Sequence, residues 1–125
     1  MWPDRRILQL LGIEHPFLLS PMAGAMDWEL GAAFAEAGGL GAIPCAMLNA
    51  DTAREHVRKF RELSKKPFML GFFTHKPPVP DNERAAAWRD RLAPYYSELG
   101  LDPNVSIPSP QRMPFNDELC DMVAE

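Results

Sequence analysis

The chain alternates short apolar runs with stretches of helical periodicity, and this alternation is what most restricts its fold. The runs at residues 17–20, 40–44 and 67–73 do not alternate apolar with polar residues, as expected of parallel strands covered on both faces. Helical stripes lie between them, and the connections are short. The order strand–helix–strand–helix–strand is typical of a parallel α/β fold, either an open sheet or a barrel.

Capping and turn residues predict where the helices begin and end. Residues 5–11 form a short leading helix that ends at Gly12, because glycine readily adopts left-handed backbone geometry. Asp27 is placed to cap the second helix, and the pattern Thr52-x-x-Glu55 predicts a capping box for the third. The second helix carries the stripe Leu30, Ala33, Phe34 and Ala37, and the third carries Ala53, Val57 and Phe60.

After the third strand the alternation gives way to a proline-rich segment. Residues 74–81 form a predicted loop, and Asn82 is placed to cap a helix in which Pro94 should cause a kink or a break. The stripe from Trp88 to Tyr96 is more typical of a core face than of a stacking platform. Asn116 then opens a last helical stripe.

Composition and charge exclude several classes of protein. The net charge of the 125 residues is −4, with 13 basic residues interleaved among 17 acidic ones, so no basic stripe favours nucleic acid. No apolar run approaches the ~18 residues of a membrane helix, and no secretory signal is present. Cys45 and Cys120 are isolated, which favours a reduced, cytoplasmic protein. The spacing of His15, His56 and His75 predicts no metal site.

The first candidate site is the loop of residues 21–25, which follows the first strand. Parallel α/β folds bind ligands at the carboxyl ends of their strands, and small residues there let a flat ring approach the backbone. Met22 adds an adaptable thioether. Composition alone favours a plain strand-to-helix turn. Residues 38–41 are also glycine-rich, but they precede a strand, so we interpret them as a helix stop rather than a phosphate cradle.

His75 ends the third strand, on the face where an active site is expected, and imidazole can polarise or deprotonate a substrate. No acidic residue lies nearby in sequence to orient it. A structural histidine at the mouth of a barrel is therefore the simpler interpretation, and we assign no catalytic residue.

Together, the motifs are more specific than any one of them, and their order resembles that of nitronate monooxygenases, once called 2-nitropropane dioxygenases. The motifs are Leu11-Gly12-Ile13, His15-Pro16, Ser20-Pro21-Met22-Ala23-Gly24, Ala37-Gly38-Gly39-Leu40-Gly41, Lys66-Pro67-Phe68 and Phe72-Phe73-Thr74-His75. The resemblance is strongest over residues 11–78. It implies a TIM barrel with FMN at its C-terminal face, and oxidation of alkyl nitronates by O₂.

The resemblance also implies site residues. Met22, Ala23 and Gly24 match the family's first flavin-contact loop. Gly71 occupies the position of an asparagine that usually hydrogen-bonds the flavin, and glycine has no side chain to do so. Thr74 stands where cysteine is common. The family's catalytic histidine and phosphate-binding loops belong to the later half of the barrel, and this sequence ends before them.

A complete barrel takes about 250 residues. We therefore expect residues 1–125 to be the N-terminal portion of a single FMN-binding domain. This portion is an incomplete (β/α)₈ barrel with about the first three β/α units, and the remaining units of the barrel are absent. Such a piece exposes a sheet edge and an apolar face, so alone it should be inactive and bind FMN weakly. Two alternatives remain open, a non-catalytic truncated fragment and a related flavin barrel such as an enoyl-ACP reductase. A partner chain is neither predicted nor excluded by the sequence.

Overall fold

The computed structural model describes residues 2–77, 79, 81–102 and 114–125. Its elements are α1 (Arg6–Leu11), α2 (Trp28–Glu36), β1 (Gly41–Pro44), the 3₁₀ turn Cys45–Met47, α3 (Ala50–Leu63), β2 (Phe68–Gly71), α4 (Asn82–Glu98) and α5 (Asp117–Ala124). The chain divides into two compact units, residues 1–75 with 112–125, and residues 76–111. The sheet lies in the first unit, and α4 lies in the second.

Strands β1 and β2 pair in parallel, with Gly41 opposite Phe68 and Pro44 opposite Gly71. A parallel pair needs a crossover connection, which α3 provides. The second and third predicted strands are confirmed, although β2 is shorter than the predicted run of residues 67–73.

The first predicted strand, residues 17–20, is reduced to a single parallel bridge between Leu18 and Leu40. Leu19 N–H donates to the Leu40 carbonyl (3.0 Å), and Leu40 N–H donates to the Phe17 carbonyl (2.9 Å). Phe17 and Leu18 are more than half exposed. The predicted burial on both faces is wrong here, because this segment packs beside one strand only in the described part of the chain.

Helix α2 packs on β1 through its smallest residues. A Cβ on Gly31 would lie 2.3 Å from the Ala42 carbonyl oxygen, and a Cβ on Gly41 would lie 2.4 Å from the Gly31 carbonyl oxygen. The buried face is Gly31, Ala32 and Ala35, whereas Leu30 is exposed. The predicted stripe through Leu30, Ala33 and Ala37 is therefore wrong, because backbone contact rather than side-chain volume seats this helix.

Helix α3 begins earlier than predicted. The side chain of Asn49 caps it by accepting from Thr52 N–H (2.8 Å), so Thr52 is not the cap and the predicted capping box is wrong. Glu55 does not reach back to the helix start because its carboxylate binds Arg58. The predicted buried face is confirmed, since Ala53 and Phe60 are fully buried with Ile43 and Cys45 in the same core.

Helix α4, described by itself, differs from prediction in three ways. Its cap is Asp81, which accepts from Arg84 N–H (2.9 Å), rather than Asn82. The helix is not broken at Pro94, since regular turns on both sides tolerate the loss of one amide donor. None of its described residues is buried, and Trp88 is 52% exposed. The predicted core face is wrong because the described part of this unit offers α4 no second element to pack on.

The other predicted helix ends are confirmed. Gly12 ends α1 with φ +65°, Asp27 caps α2, and Asn116 caps α5 by accepting from Leu119 N–H. No helix among the described residues is long and apolar enough to cross a membrane. In the same part of the chain, no cluster of three or more His, Cys, Asp or Glu side chains could hold a metal ion.

The close contact between α2 and β1 predicts that a Gly→Ala substitution at this contact destabilises the chain, although alanine has the higher helix propensity. In a helix interior, replacing Gly by Ala normally stabilises the helix by about 1 kcal/mol. Gly31→Ala should instead destabilise the chain by about 1–3 kcal/mol, because the new Cβ meets rigid backbone. As a control, Ala33→Gly on the exposed face should cost about 1 kcal/mol from propensity alone. Urea denaturation measures both, and a more stable Gly31→Ala variant would contradict the packing.

Candidate functional site

The ends of the parallel segments meet at a small cleft of about 210 Å³. Its lining residues all end or follow a strand: Pro21, Ala23, Pro44, Ala46, Met47, Gly71, Phe72 and Phe73. Crevices at the carboxyl ends of parallel strands are where open and closed α/β sheets bind ligands. The cleft is therefore the candidate site of this chain.

The loop that enters the cleft is a compact turn. The Met22 carbonyl accepts from the amides of Ala25 (3.0 Å) and Met26 (3.1 Å). Gly24 adopts φ +82°, which glycine favours, and a Cβ there would meet nothing within 4 Å. In the described part of the chain, no acceptor pairs with the amides of Ala23 and Gly24. These two N–H groups can therefore donate to a ligand.

The structure brings two of the predicted site residues, Ala23 and Gly71, to the same cleft. Met22 and Gly24 belong to the same turn but do not line it; Met22 is 42% exposed. A Cβ on Gly71 would lie 2.5 Å from both Cβ and Cγ of Pro21. The proline ring thus occupies the space that a side chain at position 71 would need, which gives the absence of asparagine here a physical reason.

Sequence reasoning missed the third wall of the cleft. Pro44, Ala46 and Met47 line it from the turn after β1, and no motif in the sequence marks them. The same rule that identified the first loop, that ligands bind at strand ends, would have found them. Burial raises the pKa of the neighbouring Cys45 thiol to about 11, so this fully buried cysteine stays protonated and is a poor nucleophile.

His75 does not line the cleft. It is exposed beyond the end of β2, with its ring edge-on to that of Phe73 at 5.9 Å between centroids. Among the described residues, no hydrogen bond or ion pair holds the imidazole.

A second and larger cavity is a groove of about 1150 Å³ between α3, β2 and α5. Its floor includes Phe68, Leu70 and Phe72, and its rim carries charge. Rim cations contact groups within the chain: Arg54 forms an ion pair with Glu125 at 2.6 Å, and the Arg61 guanidinium lies 4.5 Å from the centre of the Phe68 ring. The groove therefore differs from the cleft in offering a broad apolar floor with few unpaired polar groups.

The sequence model of the family described as Nitronate monooxygenase matches residues 4–110. A nitronate monooxygenase of Paraburkholderia phytofirmans is 40% identical over 99 residues, which cover 79% of this chain and 27% of the relative. One from Pseudomonas aeruginosa is 39% identical over 102 residues, covering 82% and 29%. The chain thus spans less than a third of the length of these curated relatives.

Solved structures give the same result for the fold. A nitroalkane oxidase from Streptomyces ansochromogenes matches with a TM-score of 0.66 and 26% identity, over 92% of this chain and 30% of that one. FabK from Thermotoga maritima matches with a TM-score of 0.55 and 33% identity, over 77% and 28%. The predicted fold class is confirmed: the chain is α/β and forms part of a TIM barrel.

The contact between Gly71 and Pro21 predicts a paired effect on stability. Gly71→Ala should destabilise the chain by about 1–3 kcal/mol, because its Cβ overlaps the proline ring. The double variant Pro21→Gly/Gly71→Ala should recover part of that loss, since both proline atoms that the new Cβ would meet are gone. Thermal and urea unfolding of the two single variants and the double variant measure the coupling. Strictly additive effects would show that the two residues do not oppose each other.

The rim of the groove predicts a pH dependence. A hydrogen bond from Arg58 to the Glu55 carboxylate (2.7 Å) is the main cause that lowers the pKa of Glu55 from 4.5 to about 2, and Lys59 adds to it. Because the folded pKa is the lower one, ionised Glu55 stabilises the fold above about pH 4.5, and this contribution is lost as the pH falls towards about 2.

Glu55→Gln should therefore lose less stability than the parent chain over that pH range. Arg58→Gln should behave similarly, because it removes the partner that lowers the pKa. Denaturation by urea at a series of pH values makes the comparison, and parallel pH profiles for all three proteins would rule the ion pair out as a source of acid sensitivity.

Proposed function

Because this chain belongs to the nitronate monooxygenase family, we propose that it supplies one wall of an FMN site in an enzyme that oxidises alkyl nitronates with O₂. The cleft at the strand ends is the observation that carries the proposal. It is lined by small and apolar residues and lies beside two amides that can donate. The small-molecule partners of the whole protein are then a nitronate and O₂.

The residues present fit one edge of a flavin. Ligand sites usually enclose ~300–1,000 Å³, so a cleft of about 210 Å³ can take part of the group only. Gly71 and Pro21 line the cleft without a polar side chain, and the amides of Ala23 and Gly24 can pair with the polar rim of the ring. Met22, exposed beside them, can pack against its face.

When bound, FMN supplies the redox chemistry that couples nitronate oxidation to the reduction of O₂. This chain's own part is to bind and orient. Phe72 and Phe73 line the cleft and exclude water from it, and Gly71 lets a ring approach the backbone. The described lining residues carry no ionisable side chain, so the wall formed here moves no proton, and the acid–base group of the reaction belongs to another part of the site.

We also propose that residues 1–125 belong to the N-terminal portion of a single FMN-binding barrel domain. In the described part of the chain β2 pairs with β1 alone, which leaves its other edge open. The groove beside β2 has the apolar floor of a packing surface rather than of a polar binding site. Both features support further barrel elements beside β2 in the whole protein.

A second candidate keeps the flavin barrel and changes the substrate to an enoyl-ACP. It is supported by the structural likeness to FabK, which has the higher sequence identity of the two neighbours described above. Assays with the two substrates distinguish the candidate functions. Nitronate-dependent O₂ uptake favours the first candidate, and reduction of an enoyl thioester favours the second.

A fusion tests the proposed function. This chain replaces the corresponding N-terminal segment of the Pseudomonas aeruginosa relative. The fusion should purify with bound flavin and consume O₂ when an alkyl nitronate is added, whereas the 125-residue chain alone should be inactive. A folded fusion that binds no flavin would sink the proposal.

Two glycines provide a matched pair of variants within that fusion. Gly24 and Gly100 both have positive φ, and a Cβ at either would meet nothing within 4 Å, so alanine imposes a similar local strain of about 1 kcal/mol at both. Gly24→Ala should weaken flavin binding measurably, because it displaces the donating amides. Gly100→Ala should leave the dissociation constant unchanged, and equal effects from both would argue against a role for the first loop.

A further inference from the structure

Asp27 joins the first loop to helix α2. The loop closes on the Met22 carbonyl through the amides of Ala25 and Met26. At the next residue, Asp27 Oδ1 accepts from Trp28 N–H at 2.7 Å and so caps the helix. The position of the Asp27 side chain therefore sets the direction in which the loop enters α2.

A second group reaches the same carboxylate from a different helix. His56 on α3 places Nδ1 at 3.0 Å from Asp27 Oδ1. This nitrogen is enclosed, and no group in the described part of the chain gives it a hydrogen bond of good geometry. Because a carboxylate can only accept, the contact requires a proton on Nδ1. An enclosed polar atom with a single electrostatic partner calls for an explanation.

The helix that carries His56 is anchored in the core of this unit. Ala53 and Phe60, three residues before and four residues after His56, have no exposed surface. The imidazole itself is 16% exposed, and the Asp27 side chain is half exposed. The contact thus ties a surface loop to a helix fixed in the core.

We infer that His56 and Asp27 form a positioning pair that holds the loop of residues 22–26 in place for ligand binding. His56 does not line the cleft, so it acts through Asp27 and the loop rather than by touching a ligand. The inference rests on the proposed function for the identity of that ligand, a flavin. The ordering of the loop itself is a property of this chain alone.

A second contact between the same two helices supplies the control. Lys59 Nζ lies 5.6 Å from the centre of the Trp28 ring, one turn along α3 from His56. It ties α3 to the start of α2 without touching Asp27. Removing it disturbs the same region but leaves the positioning pair intact.

The experiment compares backbone hydrogen exchange in the 125-residue chain and in three variants. His56→Leu keeps most of the volume and removes the polar contact, so the amides of Ala25 and Met26, which donate to the Met22 carbonyl, should exchange several-fold faster. His56→Asn places an amide nitrogen near the position of Nδ1 and should restore slow exchange. Lys59→Met should leave the loop unchanged.

The outcomes are distinct. Unchanged loop exchange in His56→Leu overturns the inference. Faster exchange spread equally over α3 and the loop also overturns it, because it shows general destabilisation. Failure of His56→Asn to restore slow exchange refutes the role of the polar contact.

Flavin titration of the fusion protein carrying the same substitutions separates this inference from the proposed function. Weaker binding in His56→Leu, recovered in His56→Asn, supports both. If the loop loosens as expected but the unsubstituted fusion binds no flavin, the proposed function fails while the positioning pair stands.

Discussion

Helix α2 and strand β1 touch through backbone, and the site depends on this approach. At Gly31 and Gly41 there is no room for a Cβ on either side, so the main chains of helix and strand are in direct contact. The first loop runs directly into the capped end of α2. The packing of α2 on β1 thus sets the position of the first loop over the strand ends. A side chain added at the contact would move the helix and the loop together away from the strand.

Steric exclusion also shapes the cleft. Pro21 occupies the space beside Gly71, and the remaining wall is made of alanine, methionine, proline and phenylalanine side chains. Such a surface can bind a flat, largely apolar ring and present backbone amides to its polar edge, but it offers no acid or base. The groove along α3 and β2 has the opposite character, since its floor is broad and apolar and its charged rim is paired. The cleft at the strand ends and the groove beside β2 therefore differ in both position and chemical character.

Sequence periodicity predicted the order of elements, the two paired strands and the buried face of α3, because these follow from local apolar patterns. It failed where contacts between elements decide. The predicted stripe through Leu30 is wrong because two glycines set the packing of α2 on β1. The predicted capping box at Thr52 is wrong because Asn49 caps the helix instead. The sequence also suggested that Gly71 weakens the site by lacking a side chain; that Pro21 fills the space became visible only in three dimensions. The residues after β1 were missed because nothing in their composition marks them.

The most direct test of the account is to map where FMN contacts the chain. Amide chemical shifts of the ¹⁵N-labelled protein, recorded with FMN at concentrations high enough to reveal weak binding, locate the contact even if affinity is low. If FMN binds at the strand ends, the shifts should be confined to Ala23, Gly24, Gly71 and the turn after β1. Shifts that cluster along the groove between α3 and α5, with none at the strand ends, would contradict it.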